Sequence, residues 1–157
     1  MTDVFVWLAA TPVAAALKAS ATLYLIVNAT HILAIGLIVG AILPLDLRLI
    51  GVIRSAPIAA IGPLLSRSAA IGMALALVTG LCLFSVRAAE YAQNPAFLTK
   101  VSLVALGIAN ALLLHFRVGW RVAIATGRVT AVLRMQALLS VIVWTGAVLA
   151  GRWIAFI

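Results

Sequence analysis

Four long apolar runs, separated by clusters of arginine, proline and glycine, set the pattern of this chain. The clearest is residues 20–43, which hold no formally charged residue at neutral pH. At 1.5 Å rise per residue this run is long enough to cross a bilayer core of about 30 Å. Pro44 follows it and is expected to close the helix, because proline donates no backbone hydrogen bond and restricts the residue before it. The next stretch, LPLDLRLIG, reads as a short interfacial segment, and Pro57, Gly62 and Pro63 break up what comes after.

A second span is predicted over about residues 68–89. Its Gly72, Ala76 and Gly80 recur every four residues, a row of small side chains that lets a neighbouring backbone come close. Asn94-Pro95 opens a third helix, with asparagine as the cap and proline at the first helical position. That helix is expected over about residues 95–120, ending between Gly119 and Gly127. The last span covers about residues 131–151, with Gln136, Ser140, Trp144 and Ala147 on one mixed polar and small face. Residues 4–17 are also apolar, but Pro12 interrupts them and they are short for a crossing. They read as an interfacial or re-entrant helix ahead of the first span.

Composition fixes the class. The chain is 66% hydrophobic and only 9% charged, against about 25% charged residues in soluble domains. The runs are too long for barrel strands, and open sheets cannot satisfy their edges in lipid. The expected fold is therefore all-α: an integral membrane four-helix bundle with a preceding N-terminal helix, forming a single domain over residues 1–157.

The formal net charge of +8 changes this picture little. The basic residues lie mainly between the apolar runs, so they read as anchors and topology signals that meet membrane lipids; no nucleic-acid role is expected. Arg48, Arg54, Arg67, Arg117, Arg121, Arg128 and Arg134 fall on one side of a four-span arrangement. Lys18, Arg87, Lys100 and Arg152 fall on the other, with Asp3 and Glu90. The positive-inside rule then places both termini outside, periplasmic in a bacterial inner membrane. Asp3 stands where a signal peptide would be basic, and Lys18 follows the apolar stretch, so the N-terminal segment is expected to be retained. The lone Cys82 can form no internal disulfide and belongs to no CxxC pair.

At LPLDLRLIG, SVRAAEYAQNPAFLTK and the terminal GRWIAF, the chain resembles a family of small bacterial four-helix inner-membrane proteins of unknown function. The shared order is a first-span histidine (His31), an ILPLDLRL stretch, an EYxxNPxFxxK stretch and a histidine closing the third span (His115). The resemblance covers roughly residues 20–157. It implies no activity, only that Asp46, Arg48, Asn94 and Lys100 matter as a set.

Polar residues inside spans are the candidates for chemistry. Tyr24, Asn28 and His31 are spaced by four and three residues and share a helix face. His31 and His115 could be axial ligands of one haem b, because a flat and largely apolar porphyrin suits a helix bundle and takes ligands from opposite faces. That requires matched depths, which follow only if the third helix continues toward Gly127. Arg48 and Arg117 would compensate the propionates, and Asp46 would orient Arg48. The resulting expectation is a cytochrome-like electron-transfer subunit, not an enzyme on its own, working as a homo-oligomer or beside a redox partner subunit.

Two other classes compete. Tyr24, Asn28, His31, Asn110, Gln136 and Ser140 could line a polar cavity in a small transporter or proton-linked sensor. The first span, ending at Pro44, holds no acid to support that reading. Alternatively the chain is a non-catalytic anchor or assembly subunit that needs no chemistry from the histidines, and His31 then hydrogen-bonds the neighbours of Asn28 or a buried Gln136 across the bundle. No HExxH, GxSxG, P-loop or dinucleotide fingerprint is present.

Overall fold

The computed structural model describes residues 2–156 and shows no strand among them. Two short helices, α1 (Thr2–Ala9) and α2 (Pro12–Ala19), precede the long α3 (Ala21–Ile50) and α4 (Ile58–Val86). The short α5 (Ala88–Gln93), α6 (Pro95–Phe116), α7 (Val118–Thr126) and α8 (Ala131–Trp153) follow, and a 3-10 turn covers Ile154–Phe156. The four helices α3, α4, α6 and α8 are long and apolar enough to cross a membrane. The protein is an all-α, multi-pass membrane helix bundle.

The N-terminal segment is two helices rather than one. Thr11 accepts from the Ala14 amide at 3.4 Å and so starts α2 at Pro12. Lys18 Nζ donates to the Ala9 carbonyl at 2.9 Å, satisfying the end of α1. Each helix has eight residues, about 12 Å of length, too short to cross. Ala14 and Leu17 are buried where α2 packs on α3 and α4.

Pro44 does not end the first span. α3 runs through it to Ile50 and stops only at Gly51, whose φ of 100° forms a left-handed cap. The Leu47 carbonyl there accepts from the amides of Gly51, Val52 and Ile53. Pro44 leaves the Gly40 carbonyl without its usual helical donor, a local loss that the flanking turns absorb. Similarly, α4 starts at Ile58 and carries Pro63 inside it, ten residues before the expected start.

The third helix is shorter than expected. Arg117 adopts an extended conformation (φ −75°, ψ 143°) that closes α6 at Phe116 and opens α7. The Asn94 cap is as read from the sequence: its Oδ1 accepts from the Phe97 amide at 3.0 Å, with Pro95 next.

Packing runs α4–α3–α8–α6, so α3 and α8 are the inner pair. At the end where α3 finishes, Leu45, Leu49, Ile58, Leu114, Trp120, Ala123, Leu133 and Ala137 form the core. At the other end, Phe84, Tyr91 and Phe97 cluster with centroids 5.3–6.3 Å apart, and Phe5 meets Phe84 edge-on at 6.5 Å. Large apolar side chains such as Leu33, Val78 and Ile142 point outward, as lipid-facing positions do.

Candidate functional site

The polar residues of the spans divide into three places. The first is the α3–α4 contact. His31 Nδ1 lies 2.9 Å from Thr79 Oγ1, and Thr79 donates its own proton to the Leu75 carbonyl at 2.6 Å. A hydroxyl has one hydrogen to give. Its bond to His31 must therefore run from the imidazole Nδ1–H to the hydroxyl oxygen, which fixes the tautomer of a neutral ring. Gly80 makes room for this ring: a β-carbon there would stand 3.1 Å from His31 Cε1. The partner of His31 is thus Thr79, not Gln136. Tyr24 and Asn28, on the same helix, are exposed.

The second place joins the inner helices. α8 presents Gln136, Ser140 and Trp144 at four-residue spacing toward α3 and α6. Asn110 of α6 is buried and its Nδ2 donates to the Gln136 carbonyl at 3.0 Å. Trp144 lies flat against Gly107, where a β-carbon would come within 2.7 Å of its ring. Asp46 of α3 is only 4% exposed, and the Ser140 side chain of α8 stands against its carboxyl. Asp46 Oδ2, Gln136 Oε1 and Trp144 Nε1 are buried and have no partner among the described residues. Asp46 does not orient Arg48: the Arg48 guanidinium instead donates to the Ala56 carbonyl in the α3–α4 turn. Among the described residues the ion pair present is Arg87–Glu90, at 3.5 Å beside α5.

The third place is the α4–α6 seam. His115 Nδ1 bonds the Ala111 carbonyl at 2.7 Å and its Nε2 bonds Ser66 Oγ at 2.9 Å. A carbonyl can only accept, so Nδ1 carries the proton; in the neutral ring Nε2 accepts from the serine. The ring also stands 4.9 Å from Trp120, centroid to centroid.

This arrangement does not fit a haem between His31 and His115. Both histidines bind α4, one at Thr79 and the other at Ser66. Thirteen residues separate those positions, about 20 Å of helix. One iron cannot reach both rings, and both nitrogens of His115 are already engaged. The propionate assignments fall with it: Arg48 is committed to backbone, and Arg117 is exposed at the α6–α7 break. No group of three or more His, Cys, Asp or Glu side chains that could hold a metal occurs among the described residues.

Asp46, Ser140 and Trp144 form the part of the site that sequence reasoning did not assemble. The available signal was the acid at Asp46 together with the Gln136-Ser140-Trp144 face. It is hidden in the sequence because a helix that ends at Pro44 leaves Asp46 outside the span. No family model, curated protein or solved structure matches the chain.

Proposed function

We propose that this protein is a proton-linked membrane module, a small transporter or sensor, built around Asp46. The observation that carries the reading is a buried carboxyl in a spanning helix with Ser140 on it, no cation beside it and one oxygen without a partner. Burying a carboxyl is expensive unless it is compensated, and such residues in membranes mark proton and ion pathways. The objection that the first span lacks an acid disappears once α3 is continuous through Asp46.

Chemically, Asp46 is the group that takes up and releases the proton, and Ser140 holds its carboxyl against α8. Gln136 Oε1 and Trp144 Nε1 add an acceptor and a donor along the same face of α8. Together they offer water, or another small hydrogen-bonding species, places to bind on either side of Ser140. The arginine distribution favours a bacterial inner membrane with both termini periplasmic, which puts the Asp46 end of α3 toward the cytoplasm.

The test is infrared difference spectroscopy of the protein in liposomes as pH is stepped, beside proton flux followed with an entrapped pH dye. Asp46→Asn is expected to remove a carboxyl band that responds to pH and to abolish protein-dependent flux or any pH-driven structural change. Identical behaviour of Asp46→Asn and the parent protein would overturn the proposal.

A further inference from the structure

The α4–α7 corner carries a second site, independent of Asp46. A pocket of about 370 Å³ opens there between Pro63, Ser66, Arg67, His115, Trp120 and Arg121. We infer that it binds the phosphate of an anionic phospholipid, with Arg67 and Arg121 as the phosphate ligands and Trp120 and Pro63 as the apolar wall.

The floor of the pocket is built. Gly62 lets α7 approach α4 so closely that a β-carbon would stand 2.6 Å from Ile124 and 3.2 Å from Trp120. Trp120 is 8% exposed, and His115 is tied to Ser66 below it. Because both ring nitrogens of His115 are engaged, it shapes the pocket and leaves binding to the guanidiniums.

Neither Arg67 nor Arg121 has a hydrogen-bond or ion-pair partner among the described residues. Among the described residues, the two carboxylates are placed elsewhere. Glu90 pairs with Arg87 beside α5, and Asp46 is buried against α8. Two free guanidiniums at one opening suit a phosphate, which accepts paired N–H donors.

The surroundings favour a lipid as the carrier of that phosphate. α7 buries Trp120 and Ala123 while exposing Val118 and Val122. This is the pattern of a helix lying in the interface plane. Leu64 and Phe116, beside the pocket, are 64% and 79% exposed. They give acyl chains a continuous apolar path away from the arginines.

The experiment is native mass spectrometry of the full chain in detergent, with phosphatidylglycerol, phosphatidylcholine or inorganic phosphate added. The expected result is retention of phosphatidylglycerol over phosphatidylcholine by about thirtyfold, as two arginines near an anionic headgroup would give. The double variant Arg67→Ala/Arg121→Ala is expected to lose that preference. Arg128→Ala/Arg134→Ala, which removes equal charge from exposed positions outside the pocket, is expected to keep it. Equal loss in both double variants would overturn the site, because the preference would then be general surface charge. Retention of inorganic phosphate without preference for phosphatidylglycerol would overturn the lipid as its source.

Discussion

His31 donates to Thr79 across the α3–α4 contact, and the Thr79 hydroxyl donates in turn to the Leu75 carbonyl one turn back. Thr79→Val keeps the shape of the side chain but removes the hydroxyl. The expected cost is about 1 kcal/mol, within the range for hydrogen bonds between membrane helices. Unfolding in mixed micelles with a graded denaturing detergent measures it. No change would mean that the bond between His31 and Thr79 adds nothing to stability in the micelle.

The same helix pair gives an ordered comparison of two glycines. A β-carbon at Gly72 would meet the Ala34 carbonyl oxygen at 3.0 Å and the Ile38 amide nitrogen at 3.1 Å, both backbone atoms. At Gly80 the nearest atom, at 3.1 Å, belongs to the His31 ring. A ring can turn slightly, whereas backbone on a packed helix moves only with the helix. Gly72→Ala is therefore expected to destabilise by about 1–3 kcal/mol, the usual range for overpacking, and Gly80→Ala by less. The reverse order would show that α3 and α4 are not this close at Gly72.

His115 and Ser66 join α6 to α4, two helices that otherwise meet less closely than the α3–α4 and α6–α8 pairs. A double-mutant cycle with His115→Ala and Ser66→Ala isolates that bond. A coupling of about 0.6 kcal/mol is expected, as for other interhelical hydrogen bonds in membranes. Additive effects would show that the pair is not bonded in the bilayer.

The sequence carried the class and the number of long helices because both depend on local quantities: run length, charge density and the spacing of small residues. Asn94-Pro95 and the row of Gly72, Ala76 and Gly80 were legible for the same reason. Pro44 and Arg117 were not. A proline inside a long apolar helix loses one hydrogen bond, and tertiary packing of Leu45 and Leu49 outweighs it. The break at Arg117 lacks glycine or proline within it, and arises where Trp120 turns back onto Gly62. Those two boundaries then decided the site. One brought Asp46 into a span, and the other separated His115 from His31 in depth.

Haem supplied during expression tests that separation directly. With His31 and His115 held about 20 Å apart along α4, the purified protein is expected to show no six-coordinate spectrum that depends on both residues. His31→Ala and His115→Ala are each expected to leave its absorption unchanged. A bis-histidine spectrum lost in both variants would require α6 to slide against α4, breaking the bond to Ser66.

Tyr91 provides a pH prediction outside the spans. Its ring sits against Phe84 and Phe97, at centroid distances of 6.3 and 5.3 Å. Burial pushes its phenol above the ordinary 10.0; Tyr24 and Glu90 act in the same direction and Arg87 opposes them. The folded protein thus holds this proton more tightly than the unfolded chain does. Below the ordinary phenol range both states are protonated and the contribution is fully present. As pH rises through that range the unfolded chain releases its proton first, so stability falls, and the fall ends once Tyr91 itself ionises in the folded state. Thermal unfolding from about pH 8 to about pH 12 is expected to show a steeper decline for the parent protein than for Tyr91→Phe. The two curves should be parallel below the phenol range. Parallel curves throughout would mean that Tyr91 ionises alike in both states, and that the stack on Phe84 and Phe97 does not bury it.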